Sequence, residues 1–506
     1  MSRGGIARSA AVVSFLTLVS RVLGMIRDVA FAYTFGAGQA WDAFVIAFAI
    51  PNLFRHLFGE GALASAFLPA FVGRLERSRE EARTLLRALC GSMIVILGVL
   101  TAAAIGVTFL LEALFEDPKL ALTMRTLRIT LPYAPLICIT AVFGAALNGL
   151  RRFAIPALAP VLLNVVLIAT IFIEPWSGGD WGQLQLLAWA VVVGGVAQLG
   201  SQVPSLVAGG MAPTPSGGWR RAGLWEVARG FLPAVAGLAV IQVNEALDNV
   251  IAELFVAGDG AVSAIYFGNR LNQLPLALIG FSLATAAFPS LASHAARDDT
   301  ERFQAALRRA LELVFFVAVP AAVGLAVLSH ESSRLLFQRG EFDAAATGRT
   351  ATVVIFLALG LPFYSANMVL TRAFYSLRDM ATPVRISLTT VGLNLLLNLV
   401  LVWPLAEGGI ALATSVTGVL NFMLLARALA KRVPLGVGSL AGRWASIGAA
   451  AGVMAGAVVG LRTVWAPPNG TWGLSQWMAS AIAGGLAVYL GCAALLRALP
   501  RRGAAS

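Results

Sequence analysis

Charge is scarce in this 506-residue chain: 12% of its residues are Asp, Glu, Lys or Arg, while 58% are hydrophobic. A soluble globular domain carries about twice that charged share, so most of this surface must meet something other than water. Histidine and cysteine are scarcer still. His56, His294 and His330 show no metal-ligand spacing, and Cys90, Cys138 and Cys492 stand singly in apolar segments, so neither a zinc site nor a disulfide framework is expected. A phosphate-binding glycine loop and a G-x-S-x-G turn are both missing, and the chain reads as a non-enzyme without a resident cofactor. The net charge of +12 comes from short basic clusters between apolar windows. Without basic runs or interleaved aromatics, nucleic acid is not the expected partner. A cleavable leader is not expected either, because the apolar stretch after Arg3 and Arg8 outruns a signal peptide and meets no A-x-A site.

What the chain does have is long apolar windows, and its mean hydropathy is +0.81. Fourteen of them run from 9–35 to 473–497. A window of about 20 residues crosses a hydrocarbon core about 30 Å thick as a helix, and uninterrupted windows of this kind do not suit a barrel. The expected fold is all-α, a polytopic membrane protein of about fourteen transmembrane helices. Alternate loops are basic, as at Arg74 to Arg87, Arg151–Arg152, Arg220–Arg221, Arg297 to Arg309 and Arg427 to Arg432, which predicts that both termini are cytoplasmic. Trp41, Trp176, Trp181, Trp403, Trp465 and Trp472 fall at window ends, where an amphipathic ring suits the headgroup region.

The chain also repeats itself. Asp28, Phe35, Ala37, Gly38, Asn52 and Pro69 recur 220 residues later as Asp248, Phe255, Ala257, Gly258, Asn272 and Pro289. Leu150, Arg151, Ala154 and Pro156 recur at an offset of 227 as Leu377, Arg378, Ala381 and Pro383. Six helices per copy, an even number, predicts two lobes entering the membrane in the same direction with a cavity between them. We read 1–208 as the first lobe, 209–223 as a cytoplasmic linker, 224–432 as the second lobe, and 433–506 as helices 13 and 14 with a tail.

An ionised side chain inside a span is a functional candidate, since lipid penalises it heavily. Helix 1 carries Arg21, Arg27 and Asp28; helix 2 carries Asp42, Pro51-Asn52, Arg55 and Glu60 in the pattern of a kinked helix; its repeat-mate carries Arg270, Asn272 and Gln273; and helix 10 adds Arg372. Arginines outnumber the acids. A guanidinium's fork of donors matches carboxylate and phosphate oxygens, so the expected cargo is anionic. Separately, Asp248, Asn394, Asn398 and Thr414 form an oxygen-rich set that either holds Na⁺ or bonds helices to one another.

The segments S-R-V-L-G-M-I-R-D from Ser20, F-G-A-G from Phe35, D-A-F from Asp42 and P-N-L-F-R-H-L-F-G-E-G-A from Pro51 resemble the MurJ/MviN lipid II flippases. The resemblance continues through Arg270 and Phe288-Pro289-Ser290. It implies the fold of the multidrug, oligosaccharidyl-lipid and polysaccharide exporters, two six-helix lobes around a central cavity. It also implies alternating access for lipid II, an undecaprenyl-pyrophosphate-linked disaccharide peptide, with Arg21, Arg27 and Arg270 on its pyrophosphate and acidic headgroup. Asp28, Asp42 and Arg55 would be functionally important, and Glu60 falls in the same motif. Helices 13 and 14 would form a groove for the polyprenyl tail. Superfamily members with sodium sites lead one to expect a carboxylate where this chain has Asn398. Membrane lipid and cell-wall synthesis or division proteins are the further partners implied. The competing readings are an exporter of another lipid-linked saccharide, a cation-coupled drug exporter, and a scaffold that moves no substrate.

Overall fold

The apolar windows are helical throughout the computed structural model, which describes residues 3–59, 62–173, 179–216, 223–433 and 437–499. No strand occurs among the described residues. In chain order the helices are α1 (Arg3–Phe35), α2 (Gln39–Gly59), α3 (Ala62–Arg77), α4 (Arg79–Leu114), α5 (Pro118–Thr130), α6 (Tyr133–Gly149), α7 (Ala154–Ala169), α8 (Gly179–Ala208) and α9 (Leu224–Phe255). They continue as α10 (Ala261–Pro275), α11 (Ser282–Ala296), α12 (Thr300–Val327), α13 (Ser329–Phe337), α14 (Ala344–Ser376), α15 (Ala381–Leu405), α16 (Glu407–Ala430), α17 (Val437–Val464) and α18 (Thr471–Leu495). A π-helical turn, Leu276–Phe281, joins α10 to α11.

Among the described residues, eleven helical segments are long and apolar enough to cross a membrane. Their ends are set by polar caps. The Ser78 hydroxyl accepts from the Glu80 N–H at the start of α4, and Asp117, Asp299 and Asp343 do the same for α5, α12 and α14. Each satisfies a backbone donor that the first helical turn leaves without a partner. α4 turns much of its apolar surface outward, with Ile96, Val99 and Leu110 each more than half exposed, whereas Tyr133, Cys138 and Ala146 of α6 are sealed inside. Apolar surface on that scale belongs in lipid, and the protein is a multi-pass integral membrane protein.

The chain divides into two compact units, Met1–Leu247 and Asp248–Ser506. Inside each unit the helices pair in the same way. α6 packs on α2, α3, α4 and α8 in the first, as α14 packs on α10, α11, α12 and α16 in the second. The repeat extends to hydrogen bonds. After α6, Arg151 adopts φ 61° while its N–H and that of Arg152 return to the Asn148 and Leu147 carbonyls. After α14, Arg378 adopts φ 60° while its N–H and that of Asp379 return to Tyr375 and Phe374, each exactly 227 residues on. A left-handed arginine is uncommon, since its Cβ crowds the backbone. Two at equivalent positions mark a duplicated structure, not two accidents.

The first part of the Gly/Pro-rich segment lies strapped along α4. Arg83 donates from Nε and Nη2 to the Gly210 carbonyl at 3.0 and 2.7 Å, Arg87 Nε donates to Ala212, and the Ser216 N–H donates to the Arg87 carbonyl. Gly91 makes this approach possible, because a Cβ there would stand 2.5 Å from the Ser216 oxygen. Arg220 and Arg221 lie outside the described residues. In the second unit, α17 and α18 dock on α12 and α13: Ile447, Ala451, Met454 and Tyr489 join the core around Phe315 and Phe374, and Arg462 pairs with Glu331 at 2.6 Å.

Candidate substrate-binding site

In the first unit α1 packs against α7, and the contact is built around Arg27. Its Nε and Nη2 donate to Asp28 Oδ1 at 3.0 and 2.7 Å, and its Nη1 donates to Asn164 Oδ1 at 3.0 Å. Asn164 Nδ2 in turn donates to the Ser20 carbonyl at 3.1 Å. Asp28 is 3% exposed, so the carboxylate is stabilised by this guanidinium and not by water. Asn164 is a partner of Arg27 that the sequence reading missed. It is a single amide in an apolar window, 137 residues from its partner, and nothing local in the sequence signals it. Arg21 stays exposed on α1.

On α2, Arg55 donates to Asn52 Oδ1 and contacts His56 Nε2, both at 2.8 Å. Asp42 is wholly buried in the first turn of α2. Beside it, Trp41 is 0% exposed, with ring centroids 5.1 to 5.6 Å from Phe31, Phe35 and Phe44, so four aromatic rings pack together at the α1–α2 turn. Trp403, Trp465 and Trp472 are exposed as an interfacial position requires, and Trp176 lies outside the described residues. So does Glu60.

In the second unit, Arg270 is gripped by its own helix. Nη2 donates to Tyr266 Oη at 3.0 Å, Nη1 donates to Gln273 Oε1 at 3.2 Å, and the guanidinium carbon sits 4.7 Å from the Tyr266 ring centroid. Tyr266, one turn before the arginine, is the second residue the sequence reading missed. The π-helical turn begins immediately after Pro275, a backbone irregularity of the kind that clusters at working sites. Arg372 is half-buried with its guanidinium 5.4 Å from the Phe288 centroid and 5.9 Å from that of Phe281. Asp248, Asn394 and Asn398 come together: Asn398 Nδ2 donates to Asp248 Oδ1 at 2.6 Å and to Asn394 Oδ1 at 3.1 Å. Thr414 donates its hydroxyl to the Ile410 carbonyl, and the threonine that accepts from Asn394 is Thr417. No cluster of three His, Cys, Asp or Glu suited to a metal occurs among the described residues.

Duplicated membrane helices of this arrangement define a polytopic transporter, and within them the arginines are held by amides, a phenol and a carboxylate. The chain belongs to the lipid II flippase MurJ family, whose model matches residues 31–480. A probable lipid II flippase MurJ of Vibrio cholerae is 33% identical over 438 residues, covering 83% of this chain and 82% of that protein. The lipid II flippase MurJ of Burkholderia cenocepacia is 34% identical over 439 residues, covering 84% of each. Among solved structures, a lipid II flippase MurJ in an inward closed conformation superposes with a TM-score of 0.80 at 25% identity, over 97% of this chain and 99% of that one. An inward-facing multidrug resistance MATE family transporter of the MOP superfamily, 15% identical, shares the fold with a TM-score of 0.65 over 83% of this chain and 98% of that one.

Proposed function

We propose that this chain moves lipid II from the cytoplasmic to the outer leaflet of a bacterial inner membrane by alternating access, with both of its termini cytoplasmic. Membership of the flippase family supports the cargo, and the observation that carries the chemistry is how Arg270 is held. Tyr266 and Gln273 both accept from it through neutral oxygens, which orient the guanidinium. Arg27 is oriented by Asn164 in the same manner, although Asp28 offsets part of its charge. Arg21 and Arg55 in the first unit and Arg372 in the second are further candidate donors, and Asp42 and Glu60 are candidate polar residues of the same motif-bearing segment. A pyrophosphate accepts bidentate pairs from such forks. Release then requires that the two states of the transporter differ in affinity for the headgroup.

The polyprenyl tail is assigned to α17 and α18. Gly448, Gly452, Gly456 and Gly460 recur one turn apart on α17, and no described atom lies within 4 Å of where a Cβ would stand on any of them. A trough of bare backbone accepts a flexible isoprenoid without steric selection. The test is lipid II binding by the purified chain in nanodiscs, with undecaprenyl phosphate and an O-antigen-type lipid-linked saccharide as competitors. Preference for lipid II that weakens at least fivefold in Arg270→Ala is expected. Equal binding of all three lipids would point to a different lipid-linked saccharide as cargo.

A further inference from the structure

The two units meet a similar problem, a carboxylate inside a helix bundle, buried at Asp28 and half-buried at Asp248, in two ways. On α1 and α7 the donor is Arg27, a cation built into the chain, and Asn164 turns its oxygen toward it. The position 220 residues after Arg27 is Leu247, so the second unit has no equivalent arginine beside Asp248. There the donor is Asn398, which is 0% exposed. Its single amide nitrogen reaches both Asp248 Oδ1 and Asn394 Oδ1. Asn394 passes the order on, since its Nδ2 donates to Thr417 Oγ1 at 3.3 Å and Thr417 donates to the Ala413 carbonyl at 2.9 Å.

A sodium ion needs oxygens converging on one point, because hard cations take carboxylate, carbonyl and hydroxyl oxygens. This cluster presents a nitrogen at that point. To bind the ion, Asn398 would have to turn its amide over and give up its hydrogen bonds to Asp248 and Asn394. Asn394 would in turn lose the donor to its own oxygen, and unmade buried hydrogen bonds are expensive. The residues present therefore do not fit sodium. We propose that the Asn398 amide nitrogen occupies the place of a bound cation, so that this chain closes its Asp248 cluster without sodium.

The charge balance agrees. A carboxylate at 398 would put a second negative charge within 2.6 Å of Asp248, which only a cation or a proton could relieve. With an amide there, no second negative charge is added beside Asp248.

The test is equilibrium binding of ²²Na⁺ to the purified full chain in nanodiscs, displaced by unlabelled Na⁺, alongside melting temperatures in sodium and in choline. Wild type is expected to show no saturable ²²Na⁺ binding and the same melting temperature in both salts. Asn398→Asp is expected to acquire both saturable binding and stabilisation by sodium. Saturable binding by wild type that disappears in Asp248→Asn would overturn the proposal. So would an Asn398→Asp protein that elutes and melts like wild type in choline yet binds no sodium. Neither measurement involves lipid II, so failure here leaves the cargo assignment untouched, and failure of the cargo assignment leaves this result standing.

Discussion

Replacing Asn164 by leucine keeps the side-chain length while removing the acceptor of Arg27 Nη1 and the donor to the Ser20 carbonyl. A hydrogen bond to a charged group contributes about 1.5–3 kcal/mol in a soluble protein, but interhelical bonds in membranes average nearer 0.6 kcal/mol, with a maximum of about 1.7. Two bonds are lost here, one of them charged, so a loss of about 1–2 kcal/mol is expected, equivalent to roughly a 5- to 30-fold change in an equilibrium constant. If Asn164 acts by orienting Arg27, that loss falls on the headgroup and not on the fold. Lipid II affinity and initial flipping rate should therefore drop within this range, while the melting temperature moves little. The decisive form is a double-mutant cycle with Arg27→Ala, because residues acting through one contact are not additive. Asn164→Leu should cost almost nothing further once Arg27 is gone. Full additivity would refute the positioning role.

Three further outcomes follow from the geometry. Gly91→Ala places a Cβ against the Ser216 backbone and should destabilise by about 1–3 kcal/mol, as overpacking does; Gly98→Ala, with no atom within 4 Å, is the control, and thermal unfolding in detergent reads both. Tyr266→Phe keeps the ring beside Arg270 but removes the hydroxyl, and should weaken lipid II binding a few-fold, less than Tyr266→Ala does. In the loop between α14 and α15, hydrogen bonds from the Thr382 hydroxyl and N–H, with Arg432 beside them, hold the Asp379 carboxyl below its ordinary range. A carboxyl lowered in the folded state stabilises above its unfolded pKa and loses that contribution as pH falls through the folded one. Amide exchange over 377–383 should therefore stay slow at neutral pH and accelerate only below the ordinary carboxylate range, and Asp379→Asn should remove that acid dependence.

The membrane fold was legible because apolar windows and polar caps are local signals, and the duplication because Asp28, Asn52 and Arg151 recur at nearly constant offsets. Arg27, Asp28, Arg55 and Arg270 stood out for the same reason, as charges in apolar surroundings. What could not be read was how those charges are held. Asn164 and Tyr266 are ordinary residues in their windows, and only tertiary packing makes them partners. The packing of Trp41 among Phe31, Phe35 and Phe44 is also tertiary, since the sequence shows only a tryptophan at a helix end. The direction of the Asn398 amide is likewise invisible in sequence, where asparagine is as good an oxygen ligand as a nitrogen donor.

The central claim is tested most directly by the outer-leaflet accessibility of lipid II in cells depleted of their own flippase and supplied with this chain. Wild type should restore accessibility, and Arg270→Ala, at equal membrane abundance, should not. Wild type that is inserted and folded yet leaves lipid II on the inner leaflet would contradict the account.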